Sequence, residues 1–107
     1  MDNGRLSSAM LNKRQIRQIT RIFDANNKIG KAWLFGSFAR GEETKDSDID
    51  ILFSFKSGQS FGLIEMTNVI DSLEKTLKRK VDLIKEGTLL SFAVESVNQD
   101  KILIYGN

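Results

Sequence analysis

Ala32-Trp33-Leu34-Phe35-Gly36-Ser37, followed after ten residues by Asp48-Ile49-Asp50-Ile51-Leu52-Phe53, is the stretch on which the reading of this chain turns. The first part is strongly apolar and stops at Gly36-Ser37, as a buried strand does when it runs into a turn. In the second part Ile49, Ile51, Phe53 and Phe55 point one way, while Asp48, Asp50, Leu52 and Ser54 point the other. That is the period-two alternation of a strand with one buried face. Two carboxylates therefore leave the same face of one strand, their Cα atoms roughly 6.6 Å apart. Like charges held that close raise each other's proton affinity unless a cation lies between them, and a divalent ion with oxygen ligands is the natural relief.

Upstream, Asn12 reads as an N-cap with Gln15 completing a capping box. Ile16, Ile19, Ile22 and Phe23 follow at helical spacing, and Asn26-Asn27 ends the helix. Lys28 to Phe35 is the first strand. A polar loop, Gly41 to Ser47, leads into the second, Asp48 to Phe55. Beyond the turn Lys56 to Ser60, Leu63, Met66, Ile70, Leu73 and Leu77 make a buried helical stripe. Val81-Asp82-Leu83-Ile84 reads as a third strand. Thr88 to about Asn98 reads as a helix with Leu90, Ala93, Val94 and Val97 inward, and Lys101 to Tyr105 as a final strand. Helices alternating with strands predict a small α/β sheet covered by helices.

The chain has 107 residues, enough for one core and too few for two. Residues 1–11, polar and small, are expected to form a loose lead-in, and residues 12–107 a single domain. The formal charge of +2 is too small to argue for nucleic acid. The absence of Cys excludes disulfides and thiol chemistry, and the absence of His excludes a Ser-His triad and an imidazole base. A metal must then be hard and oxygen-ligated, and a base must be Asp, Glu, Lys or Tyr. Apolar runs such as Ile102-Leu103-Ile104-Tyr105 fall far short of the ~20 residues a membrane span needs, and no signal-type segment opens the chain, so a cytoplasmic location without membrane attachment is expected.

Asp82 lies inside an apolar strand. If that strand pairs with the one bearing Asp48 and Asp50 in the right register, three carboxylates meet, enough for two hard cations. Asp82 could instead pair with Lys78, Arg79 or Lys80, and Asp48 could cap a turn. Gly36-Ser37 offers backbone amides and a hydroxyl as a phosphate cradle, to which Arg40 could add a guanidinium. Any strand-ending turn may hold a Gly-Ser, however, and the Gly-Lys-Ser/Thr ending of a P-loop is absent. Lys13, Arg17 and Arg21 share a helix face with Arg14 beside them. With no aromatic residues interleaved for base stacking, that face reads as solvated, Lys78-Arg79-Lys80 likewise, and direct nucleic-acid binding is not expected.

Taken together, Gly36-Ser37, ten residues, then Asp48-Ile49-Asp50 resembles the GS-x10-DxD signature of the DNA polymerase beta-like nucleotidyltransferases. Leu34 to Gly41 and Ser47 to Ile51 look like the minimal nucleotidyltransferase (MNT) branch, and Val81-Asp82-Leu83-Ile84 is similar to that family's third carboxylate strand. The resemblance runs from about residue 12 to 105. It implies the nucleotidyltransferase fold, with a small mixed sheet of about four strands flanked by helices. It also implies transfer of a nucleoside monophosphate, AMP from ATP, with release of pyrophosphate.

By the same resemblance Gly36 and Ser37 hold the triphosphate, with Arg40 as an addition the signature does not require. Asp48 and Asp50 bind the metals, two Mg²⁺ with Mn²⁺ as a substitute. Asp82 completes the second metal site and helps deprotonate the acceptor hydroxyl. The partner it implies is a HEPN-domain RNase toxin, with this chain as the antitoxin that adds AMP to a toxin tyrosine. Two rivals stand beside this: an antitoxin acting by occlusion without catalysis, and a transferase of aminoglycoside type acting on a small molecule.

Overall fold

The computed structural model describes residues 11–106. Helix α1, Lys13–Asn26, starts where Asn12 Oδ1 accepts the Gln15 amide at 2.8 Å and Gln15 Oε1 accepts the Asn12 amide at 2.9 Å. This reciprocal cap satisfies two donors that the helix cannot satisfy itself. It stops at Asn27, whose left-handed φ of 57° lets its N–H return to the Phe23 carbonyl at 3.0 Å. Strand β1, Ile29–Phe35, follows, then the one-turn helix α2, Gly36–Arg40, and strand β2, Ile49–Phe55. Helix α3, Leu63–Leu77, leads to strand β3, Val81–Lys85, and helix α4, Ser91–Asp100, to strand β4, Ile102–Tyr105.

The four strands form one sheet in the order β3-β2-β1-β4. β1 is antiparallel to both β2 and β4, while β2 and β3 are parallel. Their parallel course is possible because α3 carries the chain back between them. The mixed sheet flanked by helices is thus as expected.

The two faces of the sheet are covered unequally. Ile19 and Phe23 of α1, Val69 and Leu73 of α3, and Ala32, Leu34, Ile49, Ile51 and Phe53 of the sheet form one nearly dry core. On the other face a smaller group, Phe35, Leu52 and Val97, is buried with Trp33, Ile84 and Leu89 against it. Strand alternation sorts β2 and β3 between these faces. Ile49, Ile51, Phe53, Val81 and Leu83 belong to the large core, and Asp50, Leu52, Asp82 and Ile84 to the thinly covered face.

Three local expectations need correcting. Leu63 is not part of a buried stripe: it is 84% exposed at the first position of α3. Phe61 fills that end of the core instead, its ring 5.0 Å from that of Phe55, and the buried line along the helix is Val69, Leu73 and Leu77. The last helix begins at Ser91 rather than Thr88, because Thr88 is held in a turn by the Lys85 carbonyl. Leu90 therefore lies outside the helix, and it and Val94 are exposed, while Val97 is buried. The expected lead-in lies outside the described residues except for Leu11, which is buried in the main core.

Leu73→Ala should cost about 2–5 kcal/mol in chemical denaturation. Leu63→Ala should stay within about 0.5 kcal/mol of the parent.

Candidate active site

The register of β2 places Asp50 between two neighbours. Across the antiparallel ladder it pairs with Phe35, the last residue of β1 before Gly36, and across the parallel ladder it pairs with Asp82. Asp48 lies just ahead of the strand, and the next amide, that of Ile49, donates to the Lys80 carbonyl at 2.9 Å. The paired strands thus bring together the carboxylate positions that the sequence singled out. Asp50 is half-buried, whereas Asp48 and Asp82 are exposed.

This placement has an electrostatic cost. The Asp50 carboxyl is pushed up to about 6, first by burial, then by the charges of Asp82 and Asp48, with Arg40 acting in the opposite direction. The three carboxylates are close enough to repel but are not gathered into a closed set. Among the described residues no group of three acidic side chains stands within ligating distance of one point. The donors suit a hard divalent cation in kind, being carboxylate oxygens only. A cation between them would offset the charges of Asp82 and Asp48 that add to burial in raising the Asp50 carboxyl.

Gly36 is required at the end of β1. Its φ is +73°, and a Cβ there would collide with Asp50 Oδ2 and lie 3.1 Å from Asp50 Cγ. Only glycine lets the backbone adopt this conformation and come this close to a carboxylate. Ser37 follows it in α2, and no side chain caps that helix, so its opening amides remain available beside Ser37. Arg40, at the end of α2, is already engaged: Nε donates to Glu42 Oε1 at 2.9 Å and Nη1 to Asp100 Oδ2 at 3.2 Å. The hydrogen bonds it donates to Glu42 and then Asp100 raise its pKa above the usual guanidinium value.

In the basic run before β3, Lys78 and Lys80 are exposed as expected and Arg79 is not. Among the described residues no Lys or Arg pairs with Asp82. Arg79 is half-buried and donates to main-chain carbonyls of the loop ahead of Asp48. Sequence reading missed it because a single Arg in a Lys-Arg-Lys run carries no periodic signal.

The family model for "Polymerase beta, Nucleotidyltransferase" matches residues 17–107. The chain belongs to the polymerase-beta nucleotidyltransferase family. It is 36% identical over 93 residues to a Methanocaldococcus jannaschii protein named "putative protein adenylyltransferase", covering 86% of this chain and 93% of that one. It is 34% identical over 96 residues to the protein adenylyltransferase MntA of Thermococcus cleftensis, covering 83% and 95%. A solved mutant form of the toxin-antitoxin MntA-HpeT superposes with a TM-score of 0.68 at 26% identity, covering 92% of this chain and 75% of that one. As a member of this family the chain is an enzyme of nucleotidyl transfer, and its relatives are MntA-type minimal nucleotidyltransferases.

Two outcomes follow from the packing around Asp50. Because its folded-state pKa is raised from 3.8 to about 6, ionised Asp50 destabilises the fold. The cost is absent below the unfolded pKa, grows as pH rises through the folded one, and is complete above it. Asp50→Asn should therefore gain stability over the parent between pH 4 and pH 7.5, by about 1 kcal/mol once solvent screening of a half-exposed group is allowed for. Unfolding at a series of pH values without divalent ions checks it, and a gap that does not widen with pH refutes it.

Gly36→Ala should destabilise by about 1–3 kcal/mol. In an Asp50→Ala background it should cost about 1 kcal/mol less, because the collision partner is gone.

Proposed function

We propose that this chain transfers AMP from ATP to a hydroxyl of a partner protein with Mg²⁺, and that it acts in this way as antitoxin to a HEPN-domain RNase toxin. The observation that carries the reading is the pairing of Asp50 with Asp82 across parallel strands, with Asp48 two residues away and Gly36 packed against the Asp50 carboxylate. The relative named protein adenylyltransferase MntA supports the AMP transfer, and the likeness to a toxin-antitoxin structure supports the partner. Large apolar side chains exposed at Leu63, Ile64, Leu90 and Phe92 also suit a chain that works against another protein.

In this reading Asp48, Asp50 and Asp82 hold the divalent ions. When bound, Mg²⁺ supplies charge neutralisation at the triphosphate and lowers the pKa of the acceptor hydroxyl. The amides opening α2 and the Ser37 hydroxyl donate to phosphate oxygens. Arg40 turns from Glu42 and Asp100 to the triphosphate; these pairs are exposed, and such pairs are worth only about 0–1 kcal/mol. Asp82 takes the proton of the acceptor hydroxyl as its oxygen bonds to the α-phosphorus. The bond from that phosphorus to the bridging oxygen breaks, and pyrophosphate leaves with its electron pair. No histidine is needed, in keeping with a chain that has none.

With the purified partner and α-labelled ATP, Asp50→Asn should lower label transfer by about 10³-fold or more while leaving binding of the partner intact. Neutralisation of the partner should be lost with it. Neutralisation that survives in the variant would show that binding alone suffices and overturn the catalytic reading.

A further inference from the structure

Arg79 sits between the end of α3 and the start of β3, three residues before Asp82. The two N–H bonds of its Nη1 are shared among three main-chain carbonyls, those of Ser47 at 2.8 Å, Thr44 at 3.0 Å and Lys45 at 3.2 Å. The guanidinium carbon lies 4.9 Å from the centre of the Phe38 ring, in the short helix that Gly36 opens. Among the described residues no carboxylate pairs with it. A partly desolvated cation whose charge is met by carbonyl dipoles and a ring face has been committed to a loop.

The loop is shaped to meet it. The Thr44 amide donates to Ser47 Oγ at 2.8 Å and the Ser47 amide to the Thr44 carbonyl at 3.1 Å, closing a turn whose remaining carbonyl capacity serves Arg79. The Ser47 carbonyl belongs to the peptide that joins Ser47 to Asp48. On the other side of Asp48 the Ile49 amide is held by the Lys80 carbonyl. Both peptides flanking Asp48 are thus gripped by adjacent residues, Arg79 through its side chain and Lys80 through its backbone. The same guanidinium also touches the segment bearing Ser37.

We propose that Arg79 is a positioning residue, holding the loop so that Asp48 is delivered to Asp50 and Asp82. This rests on reading those carboxylates as the metal-binding set. Arginine suits the task and lysine suits it less well. A planar guanidinium lies against Phe38 while donating along its edge, whereas the compact ammonium of a lysine is a point charge without a plane that serves ring and carbonyls together.

The test compares the parent with Arg79→Gln, Arg79→Lys and, as a charge-matched control, Lys80→Gln. Amide hydrogen exchange is followed over residues 44–49, and Mn²⁺ binding by the loss of the free-ion electron paramagnetic resonance signal. Arg79→Gln should speed loop exchange and weaken Mn²⁺ binding, each by about tenfold or more, as the loss of hydrogen bonds to a charged group predicts. Arg79→Lys should recover part of both effects, and Lys80→Gln should change neither. If Arg79→Gln fails to fold, the lysine variant carries the comparison.

A variant that is merely less stable, with parental loop exchange and parental Mn²⁺ affinity in its folded form, would overturn the proposal. So would a Lys80→Gln variant as impaired as Arg79→Gln, since the effect would then be one of general charge. A parent that binds no Mn²⁺ would overturn the metal-binding reading itself, and this proposal with it. A parent that binds Mn²⁺ as tightly as Arg79→Gln does would overturn this proposal alone.

Discussion

The parallel pairing of β2 with β3 sets two carboxylates, Asp50 and Asp82, side by side, and their repulsion has to be outweighed elsewhere. The opposition comes from the other side of the same two strands. Ile49, Ile51, Phe53, Val81 and Leu83 all lie in the main core. Fully burying such side chains is worth about 1.5–3 kcal/mol each. Charges at this spacing in a half-solvated setting repel by only a few kcal/mol. A slip of one residue would move the carboxylates into the core and the isoleucines out of it. The apolar alternation therefore holds the register, and the register makes the site.

The unequal covering of the sheet leaves two of the three carboxylates in water. With α1 and α3 packed on one face, the other is sheltered mainly by Phe35, Leu52 and Val97 under α4. That is enough to exclude water partly around Asp50 and raise its pKa, while Asp82 and Asp48 stay exposed. Gly36 then brings the main chain against the Asp50 carboxylate, where any Cβ would collide. The Gly36-Ser37 turn and the carboxylates thus adjoin because one strand ends beside the start of another.

Much of this was legible in local pattern. The cap at Asn12 with Gln15, the strands around Trp33-Leu34-Phe35 and Ile49 to Phe55, and the buried ends of α3 at Leu73 and Leu77 all follow from short-range chemistry and periodicity. Where the pattern misled, an element boundary was the cause. Leu63 keeps the spacing of the stripe but stands at the first turn of α3, where Phe61 already fills the core. Leu90 reads as inward only if the last helix starts at Thr88, and a turn at Lys85 delays it to Ser91.

By itself the sequence determined that Asp48 and Asp50 stand two apart where the second strand begins, that a glycine and a serine close the preceding strand, and that neither histidine nor cysteine takes part. These are properties of one strand, one turn and a count, settled within a few residues of chain. Only the tertiary structure decided that Asp82 stands opposite Asp50, that Arg40 is met by Asp100, and that Arg79 turns to the loop before Asp48 instead of to solvent. Each of these three relations joins elements separated by a helix, a loop or most of the domain. Such relations are set by which faces can be buried together, and no local period along the chain carries that information.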